Sequence, residues 1–234
     1  MNPSISRRSF LKGSLTATGL TLAASITPFG YRLLNASEAK RFAPNVWFQI
    51  TPDNVVTIFI PNSEMGQGVR TALSMIVADE LDADWGQIRV QQAPAADSYK
   101  NLIFNSQITV GSASVRGFYE PLRKAGAAGR IMLIKAAAET WKVPEEECEA
   151  LKGAVKHKKS GQTLTYGKLC QKAAEFEVPK DPPLKNESDF RFMGKPMARL
   201  DIPEKVAGTA VFGLDVSVPD MLYAVLAQIG RAHV

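Results

Sequence analysis

The alternation of hydrophobic and polar positions divides the chain into short strands and helices. Residues 46–50 and 55–60 are rich in β-branched and aromatic side chains. Between them, residues 51–54 include a proline and an asparagine that favour a turn, so the two segments predict a β-hairpin. Apolar side chains recur with helical spacing over residues 69–81, and residues 88–92 predict a third strand. This mixture of strands and helices predicts an α+β fold.

A longer helical segment is predicted over residues 115–141, which are rich in alanine, leucine, isoleucine and methionine. Pro144 ends it, and Pro121 is expected to divide it into a short and a longer helix because proline lacks the backbone donor. Gly126 and Gly129 lie three residues apart on one face, which predicts close packing against a neighbouring element.

From Glu147 onward the sequence becomes more polar and predicts a small module. Two short strands are expected around Gly153. A helix follows from Tyr166 to Glu175, with Thr165 as its N-terminal cap.

Residues 179–190 contain several prolines and predict a linker. A new segment is expected to begin at residue 191. In it, the apolar residues 211–213 and 222–226 predict two strands of a second domain.

Composition and charge are those of a globular protein that can build a core. The 234 residues are 45% hydrophobic and 22% charged, with a formal net charge of +5. The densest basic patch, Lys156, Lys158 and Lys159, lies beside a glycine and has no interleaved aromatic residues. Nucleic-acid binding is therefore not predicted.

Two cysteines, Cys148 and Cys170, are too few for an iron–sulfur cluster, which normally needs four thiolates. Two isolated buried thiols are favoured over a disulfide, which stays open as the alternative. The two histidines, His157 and His233, have no partner at metal-ligand spacing, so no metal site built from protein side chains is predicted.

The first forty residues predict an export signal. Arg7 and Arg8 stand in the order Ser-Arg-Arg-Ser-Phe-Leu-Lys, which matches the twin-arginine pattern, and a mildly apolar stretch follows over residues 13–30. The alternative is a chance arginine pair. Cleavage is expected near Ala36 or Ala39, with retention as an uncleaved membrane anchor left open. The expected location is the periplasm, reached after folding.

Two turns that precede predicted helices carry the candidate chemistry: Met65–Gly68 and Gly111–Ser114. Glycine lets a backbone approach a ligand closely, and the N–H groups at a helix start attract phosphate. Two such turns suit a ligand with two phosphates, although both also fit ordinary tight turns, and neither matches the Walker or dinucleotide fingerprint. The Gln67 amide is a further polar group for ligand recognition. The candidate residues are Gly66, Gln67, Gly68, Gly111, Ser112, Ala113 and Ser114.

Several motifs together resemble one known family. They are Glu64-Met65-Gly66-Gln67-Gly68-Val69 with Thr71 and Ala78–Leu81, Thr109–Ser114 with Leu122–Arg130, Gly194-Lys195-Pro196, Arg199–Pro203 and Lys205–Ala210. The chain resembles large subunits of the xanthine oxidase family, of the isoquinoline 1-oxidoreductase and membrane-associated aldehyde dehydrogenase type. The resemblance covers nearly all of residues 43–227, and Val110, where the family often has glycine, is a mild departure.

The resemblance implies a molybdenum oxidoreductase that hydroxylates aldehydes or N-heterocycles with water as the oxygen source. Its metal is held by the dithiolene of molybdopterin cytosine dinucleotide. Gln67 and residues 111–114 correspond to elements that hold the dinucleotide. Electrons pass to a separate small iron–sulfur subunit, and a cytochrome c subunit is a further expected partner. The family's catalytic glutamate lies far downstream, so Glu64 and Glu80 are expected to be only a turn acid and a helix-surface acid.

Together with the signal segment, the resemblance leads us to expect a fragment that is inactive alone. It comprises a twin-arginine signal segment over residues 1–40, part of a molybdopterin-binding domain over residues 43–178, a linker over residues 179–190, the start of a hammerhead-like α/β domain over residues 191–228, and a tail over residues 229–234 that matches a translated sequencing adapter and is expected to be artefactual. The rival hypothesis is an exported, non-catalytic module that binds phosphate or a nucleotide.

Overall fold

The computed structural model describes residues 20–27, 30–35, 46–226 and 230. The predictions on Arg7, Arg8, Ala36 and Ala39 lie outside the described residues, as does the tail 229–234 apart from Gly230. The chain falls into two units, residues 1–199 and residues 200–234.

The first unit is built on a five-stranded sheet. Its strands are β1 (Leu20–Thr27), β2 (Gly30–Asn35), β3 (Val46–Ile50), β4 (Val56–Ile60) and β5 (Ile88–Gln92), in the spatial order β2-β1-β3-β4-β5. The predicted hairpin is confirmed, because β3 and β4 pair antiparallel. Strand β5 pairs parallel with β4 after a helical crossover. Strands β1 and β2 lie within the segment 1–40 that is predicted to be an export signal, and they extend the sheet beyond β3.

Two helices pack against each other over this sheet: α1 (Val69–Leu81) and α2 (Ala113–Trp141). The predicted close approach at Gly126 is confirmed, since a Cβ there would lie 2.8 Å from the Cβ of Glu80. The predicted break at Pro121 is wrong, because α2 continues through it. The neighbouring side chains Phe118 and Leu122 are fully buried, and this packing outweighs the backbone hydrogen bond that proline removes.

The polar module forms a small antiparallel sheet and a helix. Its strands are β6 (Cys148–Leu151), β7 (Ala154–His157) and β8 (Thr163–Thr165), followed by α3 (Tyr166–Ala173). The predicted N-cap position of Thr165 is confirmed, although its side chain forms no capping hydrogen bond. The amide of Gly167 donates instead to Oδ1 of Asn54, 2.9 Å away, from the turn between β3 and β4. Thr165 itself is the last residue of β8 and pairs with Ala154.

The second unit contains one short helix, α4 (Ile202–Val206), and a single helical turn, Gly213–Asp215, among its described residues. The strands predicted over residues 211–213 and 222–226 do not form. These residues are exposed, and no neighbouring strand pairs with them in the described part of the chain. The prediction failed because apolar β-branched residues favour a strand only where a partner strand and a packing surface exist.

Candidate functional site

The first candidate turn connects β4 to α1, and its backbone amides are bound by the side chain of Glu64 from the same segment. Gly66 and Gly68 have positive φ angles of 98° and 81°, which favour glycine. The carboxylate of Glu64 accepts hydrogen bonds from the amides of Gly66 and Gly68, both at 2.9 Å, and of Arg70 at 3.2 Å. The positive end of α1 therefore already faces a carboxylate. Glu64 is the turn acid that the sequence predicted.

The side chain of Gln67 is also bound within this turn. Its Nε2 donates to the carbonyl oxygen of Ser63 at 2.8 Å, and its Oε1 accepts from the amide of Met65 at 2.6 Å. Arg199 closes the turn from outside, with NH1 donating to the carbonyl oxygen of Gly66 at 2.7 Å. The side-chain amide of Gln67 thus has one donor hydrogen and one acceptor lone pair left for a ligand.

The second candidate turn precedes α2 and is open. Gly111 and Ser112 have φ angles of 60° and 53°, and both residues are exposed. Ser112 is the N-cap residue of α2, yet its side chain makes no capping bond. Within the described residues, neither its hydroxyl nor that of Ser114 forms a hydrogen bond. Ala113 is buried, and its amide donates to the carbonyl oxygen of Val110. Two hydroxyl groups therefore stand free at the start of a 29-residue helix.

Side chains that the sequence analysis did not single out bring the two turns together. Asn62 donates from Nδ2 to the carbonyl oxygen of Ile108 at 3.0 Å. The amide of Ser63 donates to Oγ1 of Thr109 at 2.9 Å. These bonds join the residues immediately before one turn to the residues immediately before the other. All seven predicted site residues therefore lie on two neighbouring turns at the starts of α1 and α2.

Asn101 supports the second turn from beneath. It is fully buried, and its Nδ2 donates to the carbonyl oxygen of Ala113 at 2.7 Å. Its Oδ1 accepts from the amide of Ile103 at 2.8 Å. Gly117 makes room for this side chain, since a Cβ there would lie 1.9 Å from Nδ2 of Asn101. No local sequence signal identifies Asn101, because its contact to α2 depends on tertiary packing.

A cavity of about 610 Å³ lies one helical turn beyond the two candidate turns. Ala72 and Met75 of α1, Val115 and Tyr119 of α2, and Phe190 and Met193 contribute to its walls. The lining is mainly apolar, with Lys195 among its polar groups. Lys195 is engaged, because its Nζ donates to the carbonyl oxygen of Phe190 at 2.6 Å.

A buried cluster of charges holds residues 185–193 against α1. Glu80 is fully buried, 2.6 Å from NH2 of Arg123, and also accepts from the amide of Lys185. The expectation of a helix-surface acid at Glu80 is therefore wrong, because α2 and residues 185–193 cover that end of α1. Asp79 accepts hydrogen bonds from the amides of residues 191–193.

The same cluster includes Asp82, whose carboxylate lies 2.6 Å from Nζ of Lys185. Beside it, the hydroxyl of Tyr166 donates to the carbonyl oxygen of Leu81 at 2.7 Å. Burial, together with the charge of Asp82, raises the pKa of Tyr166 well above its usual range. The acids of α1 are thus structural groups that fix the segment lining the cavity.

Cys148 and Cys170 are both buried thiols and are not joined in a disulfide, as predicted, and burial raises the pKa of the Cys148 thiol. Over residues 20–27, 30–35, 46–226 and 230, no three histidine, cysteine, aspartate or glutamate side chains are arranged to hold a metal ion. In the same residues, no helix is both long enough and apolar enough to cross a membrane.

The family model for the molybdopterin cofactor-binding domain matches residues 6–219. The chain is 37% identical over 261 positions to isoquinoline 1-oxidoreductase subunit beta of Brevundimonas diminuta, in an alignment that covers 95% of this chain and 33% of that protein. It is 33% identical over 232 positions to the membrane-bound aldehyde dehydrogenase (pyrroloquinoline-quinone) of Gluconacetobacter polyoxogenes, covering 94% of this chain and 29% of that protein. The chain thus spans about a third or less of the length of these curated relatives.

Among solved structures, quinoline 2-oxidoreductase from Pseudomonas putida 86 is similar with a TM-score of 0.41 and 14% identity. This alignment covers 70% of the present chain and 21% of that one.

Proposed function

The chain belongs to the family of molybdopterin cofactor-binding domains, and from that premise we propose that it is part of the cofactor-binding subunit of an oxidoreductase. The family predicted from the sequence is thereby confirmed. The proposed reaction is the hydroxylation of aldehydes or nitrogen heterocycles with oxygen from water. The names of the two curated relatives, which include isoquinoline and aldehyde, support these substrate classes.

The single observation that carries the proposal is the open second turn. The hydroxyls of Ser112 and Ser114, which form no hydrogen bond to any described residue, lie at the positive end of α2, where a phosphate group is favoured. This arrangement fits the phosphates of a dinucleotide cofactor. The first turn fits them less well, because Glu64 already accepts from its amides. Gln67, with one donor and one acceptor left, adds a neutral contact beside them.

When bound, the molybdenum centre would supply the two-electron oxidation of the substrate. The described residues of this chain hold and orient the cofactor but supply no catalytic base in the proposal. Glu64 is bonded to three amides, and Glu80 is buried against Arg123, so neither carboxylate is placed to accept a proton from a substrate. The isolated chain is expected to be inactive.

Cofactor analysis of the purified full-length subunit, produced in a host that makes molybdenum cofactors, tests the proposal. We expect molybdenum by elemental analysis and cytidine monophosphate released in equal amount by acid hydrolysis. Guanosine monophosphate, or no nucleotide, would contradict the cytosine dinucleotide form. Pyrroloquinoline quinone without molybdenum would contradict the proposal itself, and that compound is included because the second relative's name carries it. A bound nucleotide without molybdenum would favour the rival binding module.

Electrons are proposed to leave through a separate small iron–sulfur subunit, with a cytochrome c subunit as a further acceptor. The two buried cysteines of this chain are fewer than the four thiolates that a cluster normally needs. Co-expression with the neighbouring genes of the source DNA, followed by affinity purification, tests this assembly. Stoichiometric iron and acid-labile sulfide in the purified complex are expected, and their absence would contradict the proposed electron path.

Export through the twin-arginine route is proposed from Arg7 and Arg8. Replacing both by lysine should leave the precursor in the cytoplasm, and unchanged periplasmic accumulation would contradict the proposal. N-terminal sequencing of the exported protein then decides whether the segment is cleaved. Cleavage near Ala36 or Ala39 would remove β1 and β2, and with them the strand that pairs with β3. Retention would support an uncleaved anchor.

A further inference from the structure

Glu64 occupies the place that an anionic ligand would take at the start of α1. Its side chain is only 9% exposed, and one of its oxygens accepts from the amides of both Gly66 and Gly68. The other oxygen accepts from the amide of Arg70. A carboxylate in this position is stabilised by the positive end of the helix. The turn therefore binds an anion already, and that anion belongs to the chain.

Arg199 holds this carboxylate in place from 135 residues away. Its NH2 lies 3.3 Å from Oε1 of Glu64, while its NH1 donates to the carbonyl oxygen of Gly66. The guanidinium also covers the turn, since a Cβ built on Gly68 would lie 3.9 Å from it. The two guanidinium nitrogens of Arg199, whose relative geometry is fixed, thus bind the Glu64 carboxylate and the backbone of the turn at the same time.

We infer that Glu64 is a specificity-determining residue that keeps ligand phosphates out of the first turn, and that Arg199 is its positioning residue. A phosphate at the start of α1 would have to displace the carboxylate or approach it closely, and the two charges repel. Among the described residues, no acid is bound to the second turn, and it is the proposed function that assigns the anionic part of a ligand to that turn. The inference concerns anions in general and does not need the cofactor to be molybdopterin.

A nuclear magnetic resonance titration of the full chain, labelled with nitrogen-15 glycine, tests the inference. The chain has 17 glycines, so the amides of Gly66, Gly68 and Gly111 can be assigned by substitution. The probe is inorganic pyrophosphate. In the wild-type chain, we expect the Gly111 amide to shift and the Gly66 and Gly68 amides to stay in place.

Removing the carboxylate should open the first turn to the probe. In Glu64→Ala, the Gly66 and Gly68 amides should shift on titration, with pyrophosphate affinity at that turn raised at least tenfold. Glu64→Gln keeps the shape and one acceptor without the charge, so it should give a smaller gain and serves if the alanine variant does not fold. The matched control is Glu120→Gln, which removes an exposed glutamate paired with Lys124 and should change nothing at Gly66.

Arg199 is tested by amide hydrogen exchange without any ligand. Arg199→Met should speed exchange at Gly66 and Gly68 at least fivefold while exchange at the core residue Leu73 stays unchanged. Arg199→Lys should restore part of the protection, because lysine reaches one of the two acceptors at a time. A general loss of stability would instead speed exchange throughout the chain.

Three results would overturn the inference: wild-type Gly66 and Gly68 amides that shift together with Gly111, Glu64 variants that gain no affinity at the first turn, or unchanged exchange in Arg199→Met. A wild-type Gly111 amide that does not respond to pyrophosphate counts against the proposed function and leaves the test of Glu64 intact. The two failures are therefore distinguishable.

Discussion

The two candidate turns have similar backbone conformations, but they differ in whether a side chain of the protein already binds their donor groups. Each places a residue with positive φ directly before a helix, Gly68 before α1 and Ser112 before α2. In the first turn, the carboxylate of Glu64 accepts from the backbone amides, and the side-chain amide of Gln67 is hydrogen-bonded to Ser63 and Met65. Within the described part of the chain, the second leaves the hydroxyls of Ser112 and Ser114 without a partner, and it rests on the buried Asn101 beneath it. Glycine geometry alone therefore does not decide whether a turn binds a ligand, because the nearby side chains decide which donors remain.

The difference also concerns what stabilises each turn. The first is held by its own side chains and by an arginine outside it, so its stability depends on exposed or partly exposed polar bonds. The second is held from the protein interior through Asn101, which leaves its outer surface available. A turn supported from within can present all of its outward groups to a ligand.

Gly117→Ala should strongly destabilise the second turn. The new Cβ would lie 1.9 Å from Nδ2 of Asn101, so this buried amide must move and lose its bond to the carbonyl oxygen of Ala113. Overpacking and the lost buried hydrogen bond together should lower the free energy of unfolding by about 2–4 kcal/mol. Urea unfolding measures this, with Gly86→Ala as the control because its Cβ would make only an ordinary contact with Asp84. Equal midpoints for both variants would show that Asn101 does not support the turn.

The double variant Ser112→Ala, Ser114→Ala should weaken cofactor retention with little loss of stability. Hydrogen bonds to a charged group contribute about 1.5–3 kcal/mol each, so losing both should raise cofactor loss at least about tenfold. Backbone donors remain, so binding is impaired and not abolished. Because Ser112 makes no capping bond, the midpoint of thermal unfolding should stay within about 2 °C of the wild type.

Thermal stability and nucleotide release on mild heating are measured on the same cofactor-loaded sample. The control is Ser160→Ala, an exposed serine bonded to His157 in the turn between β7 and β8. A destabilised double variant that retains its cofactor normally would mean that the serines are structural and that the contrast between the turns is wrong.

The local elements could be predicted because their signals are local. Helix α1 and strand β5 have the predicted bounds, since hydrophobic periodicity and β-branched content are properties of a short window. The prediction failed where distant packing decides the outcome. Pro121 stays within α2 because its buried neighbours hold the helix together, and residues 222–226 form no strand because no partner strand is described beside them.

The candidate site was predictable in part for the same reason. Glycine and serine before a helix identify a turn and its backbone donors, but they do not say which side chain accepts from those donors. Glu64, two residues before Gly66, could have predicted that the amides of the first turn are already bound, since a side chain at this position reaches them. The contact of Arg199 joins residues 133 positions apart along the chain, so no local pattern contains it.

Thr109→Val should loosen the connection between the two turns. The substitution keeps the shape of the side chain but removes Oγ1, which accepts from the amide of Ser63 at 2.9 Å. Because Ser63 is exposed, water can replace part of the bond, and the expected loss is about 0.5–1 kcal/mol in the free energy of unfolding. Thr163→Val, which removes a long, exposed hydroxyl contact in β8, is the control. A larger loss in the control would show that Thr109 does not connect the turns.

The smallest expected effect is the difference between alanine at Gly111 and alanine at Gly66. Both residues have positive φ, 60° at Gly111 and 98° at Gly66, so each substitution should cost about 1 kcal/mol or more of backbone strain, and this cost is the same with and without a neighbouring side chain. The surroundings differ, because a Cβ at Gly66 meets nothing within 4 Å, whereas one at Gly111 would lie 3.0 Å from the ring of Phe104. That ring is 47% exposed and can move outward, so the extra loss at Gly111 should be only about 0.5 kcal/mol, below that of an overpacked core. Adding Phe104→Ala should reduce the loss caused by Gly111→Ala by this amount and leave the loss caused by Gly66→Ala unchanged, as measured by urea midpoints. An equal loss at Gly111 with and without the ring would mean that the substitution strains the backbone of the second turn and does not press on the side chain packed beside it.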